Sequence, residues 1–231
     1  MTSLAVIFIL LLVATTQHTV MEAAAAKRKG QNTRDSLLAE LKKELSGMKD
    51  VNFEPQNDPL TLLIVVPEKL VFKTGDWNLS PDGKVFLGQF MGIVAGVACG
   101  PTFKEQLTSI VVEGHTDSSW RNPGPEGIDV QNLSLSQKRS MEVVKTSLSI
   151  TKGISDALNS CFLKFVSASG RGSSEPIVVD GKENPEKSRR VVFKIRVQSF
   201  EEQNIVQTGE AAMKTLKQGG VGGLFGHSHG N

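Results

Sequence analysis

Two charged residues in the second half of the chain are candidates for binding a ligand. Asp117 ends a Gly-His-Thr-Asp stretch at 114–117, and Arg139 ends a second conspicuous stretch at 132–139. A carboxylate accepts charge-assisted hydrogen bonds from an ammonium group, and a planar guanidinium holds a carboxylate through two parallel bonds. A pair of this kind suits a zwitterionic ligand. Taken singly, the Asp would more commonly cap a turn and the Arg would form a surface ion pair.

These two residues belong to a series of four short motifs. The motifs are Gly-His-Thr-Asp at 114–117, Asn-x-x-Leu-Ser-x-x-Arg at 132–139, Gly-x-Gly-x-x-x-Pro at 170–176 and Ser-Arg-Arg-Val at 188–191. Each is short enough to arise by chance, but four in this order are not expected by chance. Over about residues 60–197 the chain resembles the OmpA/MotB-type peptidoglycan-binding domain. Ser188 departs from the family pattern, which usually has Asn at that position.

The resemblance implies a ligand and a set of residues that binds it. In the family, the residues matching Asp117 and Arg139 hold the free amine and carboxylate of diaminopimelate in peptidoglycan stem peptides. We therefore predict a peptidoglycan-binding site formed by Thr116, Asp117, Asn132, Leu135, Ser136, Arg139 and Arg189. Thr116 and Asn132 would add hydrogen bonds, whereas Leu135 would belong mainly to the core. Arg189 has the strand parity of the apolar residues that follow it, and His115 would support the turn rather than take part in chemistry.

The start of the second helix and the loop before it also bear on the site. Ser134 and Gln137 have the spacing of a capping box, which predicts a helix beginning at Leu135, close to the ligand. Its N-terminus would offer backbone N–H groups and a partial positive charge to the ligand carboxylate. The loop 118–130 is longer than the family usually has. It fits three roles: a lid, a docking site for a partner, or a filter for stem peptides.

Composition favours one globular domain with appendages and excludes several function classes. The chain has 231 residues, of which 39% are apolar, and a formal net charge of +2. This is enough apolar material for a core, and the balanced charge argues against nucleic-acid binding. We find no Ser/His/Asp arrangement, metal-binding cluster or phosphate loop. We therefore predict a binding module that is not an enzyme and uses neither a cofactor nor a metal.

The N-terminus is typical of a membrane helix. Residues 1–21 carry no charged side chain, and residues 4–14 are uninterrupted apolar sequence. At about 1.5 Å per residue, a helix over this segment reaches about 30 Å, enough to cross a bilayer core. The alternative is a cleaved signal peptide, since the small residues at 23–26 offer a cleavage site. We favour the anchor, because no basic residue precedes the apolar run.

The orientation of this helix poses a conflict. Lys27, Arg28 and Lys29 would hold its C-terminal end in the cytoplasm by the positive-inside rule, whereas a wall-binding domain must lie outside. One hypothesis resolves the conflict: Met1 is an internal Met, because MotB-type proteins carry a membrane Asp shortly before a Met-Thr pair. Residues 1–21 themselves contain no carboxylate, so ion transfer through this helix would need that upstream Asp.

The remaining sequence predicts a stalk, a domain and a tail. Residues 22–51 are predicted as a helical stalk or linker, with an apolar stripe at Leu37, Leu38, Leu41, Leu45 and Met48. Two arrangements fit the stripe: a parallel dimer, or packing back onto the domain. Two Pro within 52–59 place a boundary there, so the domain is predicted at 52–200. The Gly-rich residues 201–231 are predicted to be a flexible tail, with His227 and His229 exposed.

For residues 52–200 we predict an α+β domain with the OmpA-like βαβαββ order, a mixed sheet and helices on one face. Strands are predicted at 60–66, 109–113, 162–167 and 191–197. The first helix would have Ser80 as its N-cap and Pro81 at its first position. Cys99 and Cys161 each follow a helix and precede a strand, so a disulfide and two buried thiols both fit.

Together these features predict a MotB-like stator subunit. It would be a single-pass protein of the bacterial inner membrane with its C-terminal domain in the periplasm. The resemblance implies a homodimer and a MotA-like multi-span partner that forms the proton channel. Residues 181–194 look most like the ZorB branch, stator-like proteins of the Zorya anti-phage systems. The alternative is a passive tether that links the membrane to peptidoglycan and conducts no ions.

Overall fold

The computed structural model describes residues 2–55, 57–119, 125 and 127–199. Residues 30–197 form one compact unit, and the helical residues 2–29 belong to another. The predictions for the tail 201–231, including His227 and His229, and for most of the loop 118–130 lie outside the described residues.

The first helix, α1 (Thr2–Glu44), begins in the apolar segment of the sequence. One stretch of it is long and apolar enough to cross a membrane, with a mean hydropathy of 2.0, although a signal sequence has the same character. The large apolar side chains between Leu4 and Val13 are 46% to 80% exposed. This part of the helix has the surface that a lipid environment requires.

The sheet of the compact unit has five strands in the order β1-β2-β7-β3-β4. The strands are β1 (Asn52–Glu54), β2 (Thr61–Pro67), β3 (Leu107–His115), β4 (Val166–Gly172) and β7 (Arg190–Val197). Strands β3 and β4 are parallel, whereas β7 is antiparallel to both β2 and β3. The predicted mixed sheet is therefore confirmed.

The helices connect these strands in the predicted order. The chain runs β2, α2 (Pro81–Ala98), β3, α3 (Ile128–Ile154), α4 (Asp156–Phe165), β4 and β7, with a hairpin of β5 (Val178–Val179) and β6 (Lys182–Glu183) and the short α5 (Pro185–Ser188) before β7. This confirms the α+β class and the βαβαββ order, to which the structure adds β1, α4 and the hairpin. Ser80 caps α2 as predicted, because its hydroxyl accepts the Gly83 N–H at 2.9 Å.

Two of the helices lie on the same face of the sheet. The ring of Phe193 in β7 lies 5.0 Å from that of Phe90 in α2, measured between centroids. Val191, on the same side of β7, pairs in register with Gly114 of β3. A Cβ at Gly114 would come within 2.2 Å of the Ser136 carbonyl oxygen in α3. Only a residue without a side chain permits this close approach of helix and strand.

The apolar stripe of the predicted stalk contributes to the core of this unit. Leu37 and Leu41 are fully buried and Leu45 is 3% exposed. All three pack in the same cluster as Phe90 and Phe193. Of the two arrangements that fit the stripe, the structure has the one in which it packs back onto the domain.

Two element boundaries differ from the predictions. Residues 162–165, predicted to begin a strand, end the helix α4, and β4 starts at Val166. The error arises because a short apolar run has the same composition in a helix and in a strand. The second helix starts at Ile128 rather than Leu135. Its buried stripe continues toward the N-terminus through the polar Asn132, which apolar periodicity does not reveal.

The two cysteines form a disulfide. Cys99 follows α2, Cys161 lies in α4, and their Cα atoms are 6.0 Å apart. The bond links residues 62 positions apart and joins two of the helices that cover the sheet. Of the two states that fit the sequence, the structure has the disulfide.

Candidate functional site

A pocket of about 480 Å³ lies where β3 ends, β7 begins and α3 passes the sheet. Its lining residues are Glu68, Thr74, Gly75, Thr116, Asp117, Ser119, Asn132, Leu135, Arg139 and Arg189. Six of the seven residues predicted from the sequence are among them. We call this cavity the β3-end pocket.

The predicted residue that does not line the pocket is Ser136. Its hydroxyl accepts the Gly172 N–H at 2.9 Å and donates to the Leu133 carbonyl oxygen at 2.8 Å. Ser136 therefore fixes the end of β4 against α3. Leu135 lines the pocket and is 8% exposed, so it contacts both the core and the cavity.

Four charged side chains form a continuous chain of ion pairs across the pocket. Arg189 Nη1 lies 2.5 Å from Asp117 Oδ2, and Arg189 Nε lies 2.9 Å from Glu68 Oε2. The other oxygen of Glu68 lies 2.5 Å from Arg139 Nη2. Two carboxylates thus alternate with two guanidinium groups, and the set carries no net charge.

The two arginines are held to different degrees. Arg139 is 2% exposed, and its Nε donates to the Asp76 carbonyl oxygen at 2.8 Å, while its guanidinium lies 5.2 Å from the centre of the Phe72 ring. The side chain of Arg189 is 27% exposed. Arg189 is therefore the easier of the two guanidinium groups to move away from its carboxylate partners. The Asp76 carbonyl and the Glu68 carboxylate already accept hydrogen bonds from two of the three guanidinium nitrogens of Arg139. Fewer N–H groups are therefore available for the predicted pair of parallel bonds to a ligand carboxylate.

Burial dominates the electrostatics of the deepest pair. Burial raises the pKa of Glu68, and the charges of Arg139 and Arg189 oppose this effect. Burial likewise lowers the pKa of Arg139, which Glu68 opposes. The two groups support each other's charged forms in a site largely shielded from water. Removing either partner would leave a buried charge with less compensation.

Several buried polar atoms in the pocket have no hydrogen-bond partner. Asn132 is 1% exposed, and neither its Oδ1 nor its Nδ2 is bonded within the described part of the chain. The same is true of Thr116 Oγ1, in a residue 2% exposed. A buried polar group without a partner costs about 1–3 kcal/mol. Such groups at the wall of a cavity are matched by a polar ligand or by water.

The elements hold this arrangement through contacts between α3 and the strand ends. The Thr116 N–H donates to the Gly172 carbonyl oxygen at 2.9 Å, which extends the β3–β4 pairing to Thr116, the residue before Asp117. The Gly170 N–H donates to Gln137 Oε1 at 2.6 Å. The predicted capping box is therefore wrong: Gln137 lies inside α3 and bonds to β4. The helix starts at Ile128, so its N-terminus is not beside Leu135 as predicted.

Sequence reasoning missed the opposite wall of the pocket. Glu68 begins a 3-10 turn after β2, and Thr74 and Gly75 belong to the turn that leads to α2. None of these three residues lies in one of the four motifs, so no sequence signal marked this wall. Ser119 also lines the pocket, and its neighbour Ser118 bonds to Glu183 of β6.

Comparisons with known proteins place this fold. No protein-family model matches the chain. The chain is 31% identical over 150 residues to the Zorya protein ZorB of Escherichia coli, a match that covers 64% of this chain and 62% of that relative's length. Among solved structures, a putative MotB-like protein from Desulfovibrio vulgaris is similar with a TM-score of 0.55 and 19% identity. That match covers 74% of this chain and 99% of the other. The periplasmic domain of Helicobacter pylori MotB (residues 90–256) matches more weakly, at 17% identity, 71% and 90% coverage and a TM-score of 0.49. The similarity to ZorB and to the MotB-like protein of Desulfovibrio vulgaris confirms the resemblance predicted from the four motifs.

Proposed function

We propose that this chain, which resembles ZorB in sequence and a MotB-like protein in fold, is a membrane-anchored peptidoglycan-binding subunit of a MotA/MotB-like, ion-driven stator complex. In this proposal the β3-end pocket holds the diaminopimelate of the wall through Asp117 and Arg139. The chain is a binding protein and not an enzyme.

The observation that carries the proposal is the composition of the β3-end pocket. Its four charges cancel, and its buried Asn132 and Thr116 offer unused hydrogen-bonding atoms. A net-neutral pocket with separate acidic and basic ends suits a ligand that carries both an ammonium and a carboxylate. The ammonium would bind Asp117 as Arg189 turns aside, and the carboxylate would bind Arg139 and Arg189. The end of the diaminopimelate side chain has this chemistry.

The N-terminal helix and a partner protein would complete the proposed stator. The apolar part of α1 would anchor the chain in the bacterial inner membrane, with the compact unit in the periplasm. Two copies and a MotA-like multi-span protein would form the stator and its proton path. The similarity to ZorB favours a role in anti-phage defence.

A passive envelope tether is the second candidate, and one observation favours it. Residues 1–21 contain no Asp or Glu, so this segment lacks the membrane carboxylate through which a stator subunit would relay protons. Co-purification from membranes separates the two candidates. A stator subunit copurifies with a multi-span partner and the pair conducts ions in vesicles, whereas a tether does neither.

Binding to isolated peptidoglycan sacculi tests the pocket. The full chain in detergent should bind sacculi, and Asp117→Asn or Arg139→Lys should weaken binding at least about tenfold, because each removes a charge or a planar fork that the ligand needs. Asp156→Asn and Arg196→Lys, which change the same residue types outside the pocket, should have no effect. Circular dichroism checks that each variant is folded.

A soluble competitor makes the test specific for the ligand. Free diaminopimelate should displace the chain from sacculi, whereas Nα-acetyl-lysine amide, which keeps the side-chain ammonium but has no free carboxylate, should compete much less. Sacculus binding that is equal in all variants, or equal competition by the two compounds, would contradict the proposed role of Asp117 and Arg139.

A further inference from the structure

The sheet face opposite α3 carries a cluster of ionisable side chains that the proposed function does not use. Because Gly114 faces α3, its neighbours Glu113 and His115 point to the other face. Glu175, in the loop after β4, joins them there. One ligand atom from each of the three residues lies within 4.8 Å of the other two.

His115 is the unusual member of this cluster. It is 1% exposed, and neither of its ring nitrogens has a hydrogen-bond partner in the part of the chain that the structure describes. A buried imidazole normally donates from one nitrogen and accepts at the other. A buried imidazole with two unbonded ring nitrogens destabilises the folded state. A ligand that binds one of these nitrogens would offset that cost. Its Nε2 faces Glu113 Oε2 at 3.6 Å.

We propose that Glu113, His115 and Glu175 form a site for a divalent transition-metal ion of the Zn²⁺ type. One imidazole nitrogen and two carboxylate oxygens are a donor set that Zn²⁺ accepts, with a fourth position left for water. Two atoms each about 2.1 Å from a tetrahedral zinc are about 3.4 Å apart. The 3.6 Å between His115 Nε2 and Glu113 Oε2 is close to that separation.

Basic side chains near the cluster would compete with a metal ion for the carboxylates of Glu113 and Glu175. Lys194 Nζ lies 2.7 Å from Glu113 Oε2, and Arg171 pairs with Glu175. The Lys194 and Arg171 side chains are 26% and 42% exposed, so each can turn toward solvent when a metal takes its place. Arg190, opposite His115 in register, is 7% exposed and stays, held by the carbonyl oxygens of Ser188 and Glu175. Its charge weakens the site without blocking it.

The metal would fix the strand end that supports the β3-end pocket. His115 immediately precedes Thr116 and Asp117, and Glu175 lies in the loop between β4 and β5. Coordination by both would tie this loop to the end of β3. The site does not depend on peptidoglycan binding, so it can be tested whether or not the proposed function holds. Sequence spacing gave no sign of it, because Glu175 is distant from the other two ligands along the chain.

Zinc binding to the full chain in detergent tests the site directly. The protein carries no polyhistidine tag, and His227→Asn and His229→Asn are present in every sample so that the tail cannot bind metal. Competition with a chromophoric zinc chelator gives the affinity, and elemental analysis after dialysis gives the stoichiometry. We expect about one zinc per chain. Co²⁺ should give the visible absorption of a four-coordinate site.

Three variants and a control identify the ligands. Glu175→Gln and His115→Gln should each weaken zinc binding at least about tenfold. Lys194→Met should strengthen it about tenfold, because it removes the ammonium that competes for Glu113. Glu186→Gln, a carboxylate outside the cluster, should leave the affinity unchanged. Should His115→Gln fail to fold, the half-buried Glu175 and the partly exposed Lys194 still give opposite changes that a folding defect cannot produce.

Two results would overturn the site. One is the absence of saturable zinc binding in the folded chain, which would mean that water fills the cluster. The other is zinc binding that neither Glu175→Gln nor Lys194→Met changes, which would place the metal elsewhere.

Discussion

At the scale of single residues, a substitution at Asn132 should change stability and ligand binding in opposite directions. Its amide is buried in the β3-end pocket with neither polar atom bonded among the described residues. Asn132→Leu replaces it with an apolar side chain of similar size that also favours the helix. We expect the free energy of unfolding to rise by about 1 kcal/mol, because an unpaired polar group is removed. Sacculus binding should fall. Denaturant unfolding and the sacculus assay measure the two effects.

Asn159 offers the matched control for this variant. It lies in α4, where its Oδ1 accepts the Thr151 hydroxyl at 3.0 Å. Asn159→Leu removes a hydrogen bond that is made, so it should lower stability and leave binding unchanged. If Asn132→Leu destabilised the protein as Asn159→Leu does and left binding intact, Asn132 would be a structural residue with a bound water, not a ligand-binding one.

At the scale of elements, the last turns of α1 belong to the core of the compact unit. Leu41 is fully buried there, whereas Leu163 in α4 is 57% exposed. Leu41→Ala should lower the free energy of unfolding by about 3 kcal/mol, since it leaves a cavity in the core. Leu163→Ala should change it by less than about 0.5 kcal/mol. Denaturant unfolding of the full chain in detergent compares them.

The Leu41 result also distinguishes the two arrangements of the stripe. If Leu41 stabilised a dimer rather than the domain, the effect of Leu41→Ala would depend on protein concentration. A loss of stability that is equal at low and high concentration supports packing onto the domain. A loss that disappears on dilution would contradict it.

At the same scale, we expect the disulfide between Cys99 and Cys161 to stabilise the folded chain. Crosslinking residues 62 positions apart restricts the unfolded chain, which stabilises the folded state by about 2–4 kcal/mol. Cys99→Ser with Cys161→Ser should lower stability by that amount under oxidising conditions. In the presence of a reductant the natural chain and the double variant should unfold at similar denaturant concentrations. Equal stability under oxidising conditions would contradict a structural role.

At the scale of the whole molecule, we expect the apolar part of α1 to anchor the chain in a membrane. Leu10→Arg with Leu12→Arg places two charges near the middle of the exposed apolar stretch, each costing about 2.5–3.5 kcal/mol in a membrane. The double variant should move from the membrane fraction to the soluble fraction after alkaline extraction. Sacculus binding should persist, because the β3-end pocket lies in the compact unit.

Leu163→Arg is the control for added charge, because it changes an exposed apolar residue of the compact unit. It should leave the chain in the membrane fraction. If the natural chain itself were extracted by alkali, or its N-terminus began after residue 21, the segment would act as a cleaved signal and not as an anchor.

The amino-acid sequence by itself determined the class of fold and most of one wall of the pocket. Alternation in β7 and the Ser80 cap of α2 are local patterns, so they could be recognised without the fold. The motif residues Asp117, Asn132 and Arg139 also carry their own signal, because each occupies a fixed position in a short stretch. The disulfide and the packing of Leu41 stayed open, because in each case two outcomes were compatible with the sequence.

Only the tertiary structure decided which charges meet. Glu68 comes from the turn after β2 and Arg189 from the residue just before β7, yet both belong to the same chain of ion pairs. No local pattern marks Glu68, because its position depends on how β2 lies beside β7 in the sheet. The same holds for Glu113, His115 and Glu175, which meet because β3 pairs with β4 and the loop beyond β4 turns back over the sheet face opposite α3. Sequence periodicity fixes which face of an element a residue occupies, whereas the pairing of distant strands fixes which side chain stands opposite it.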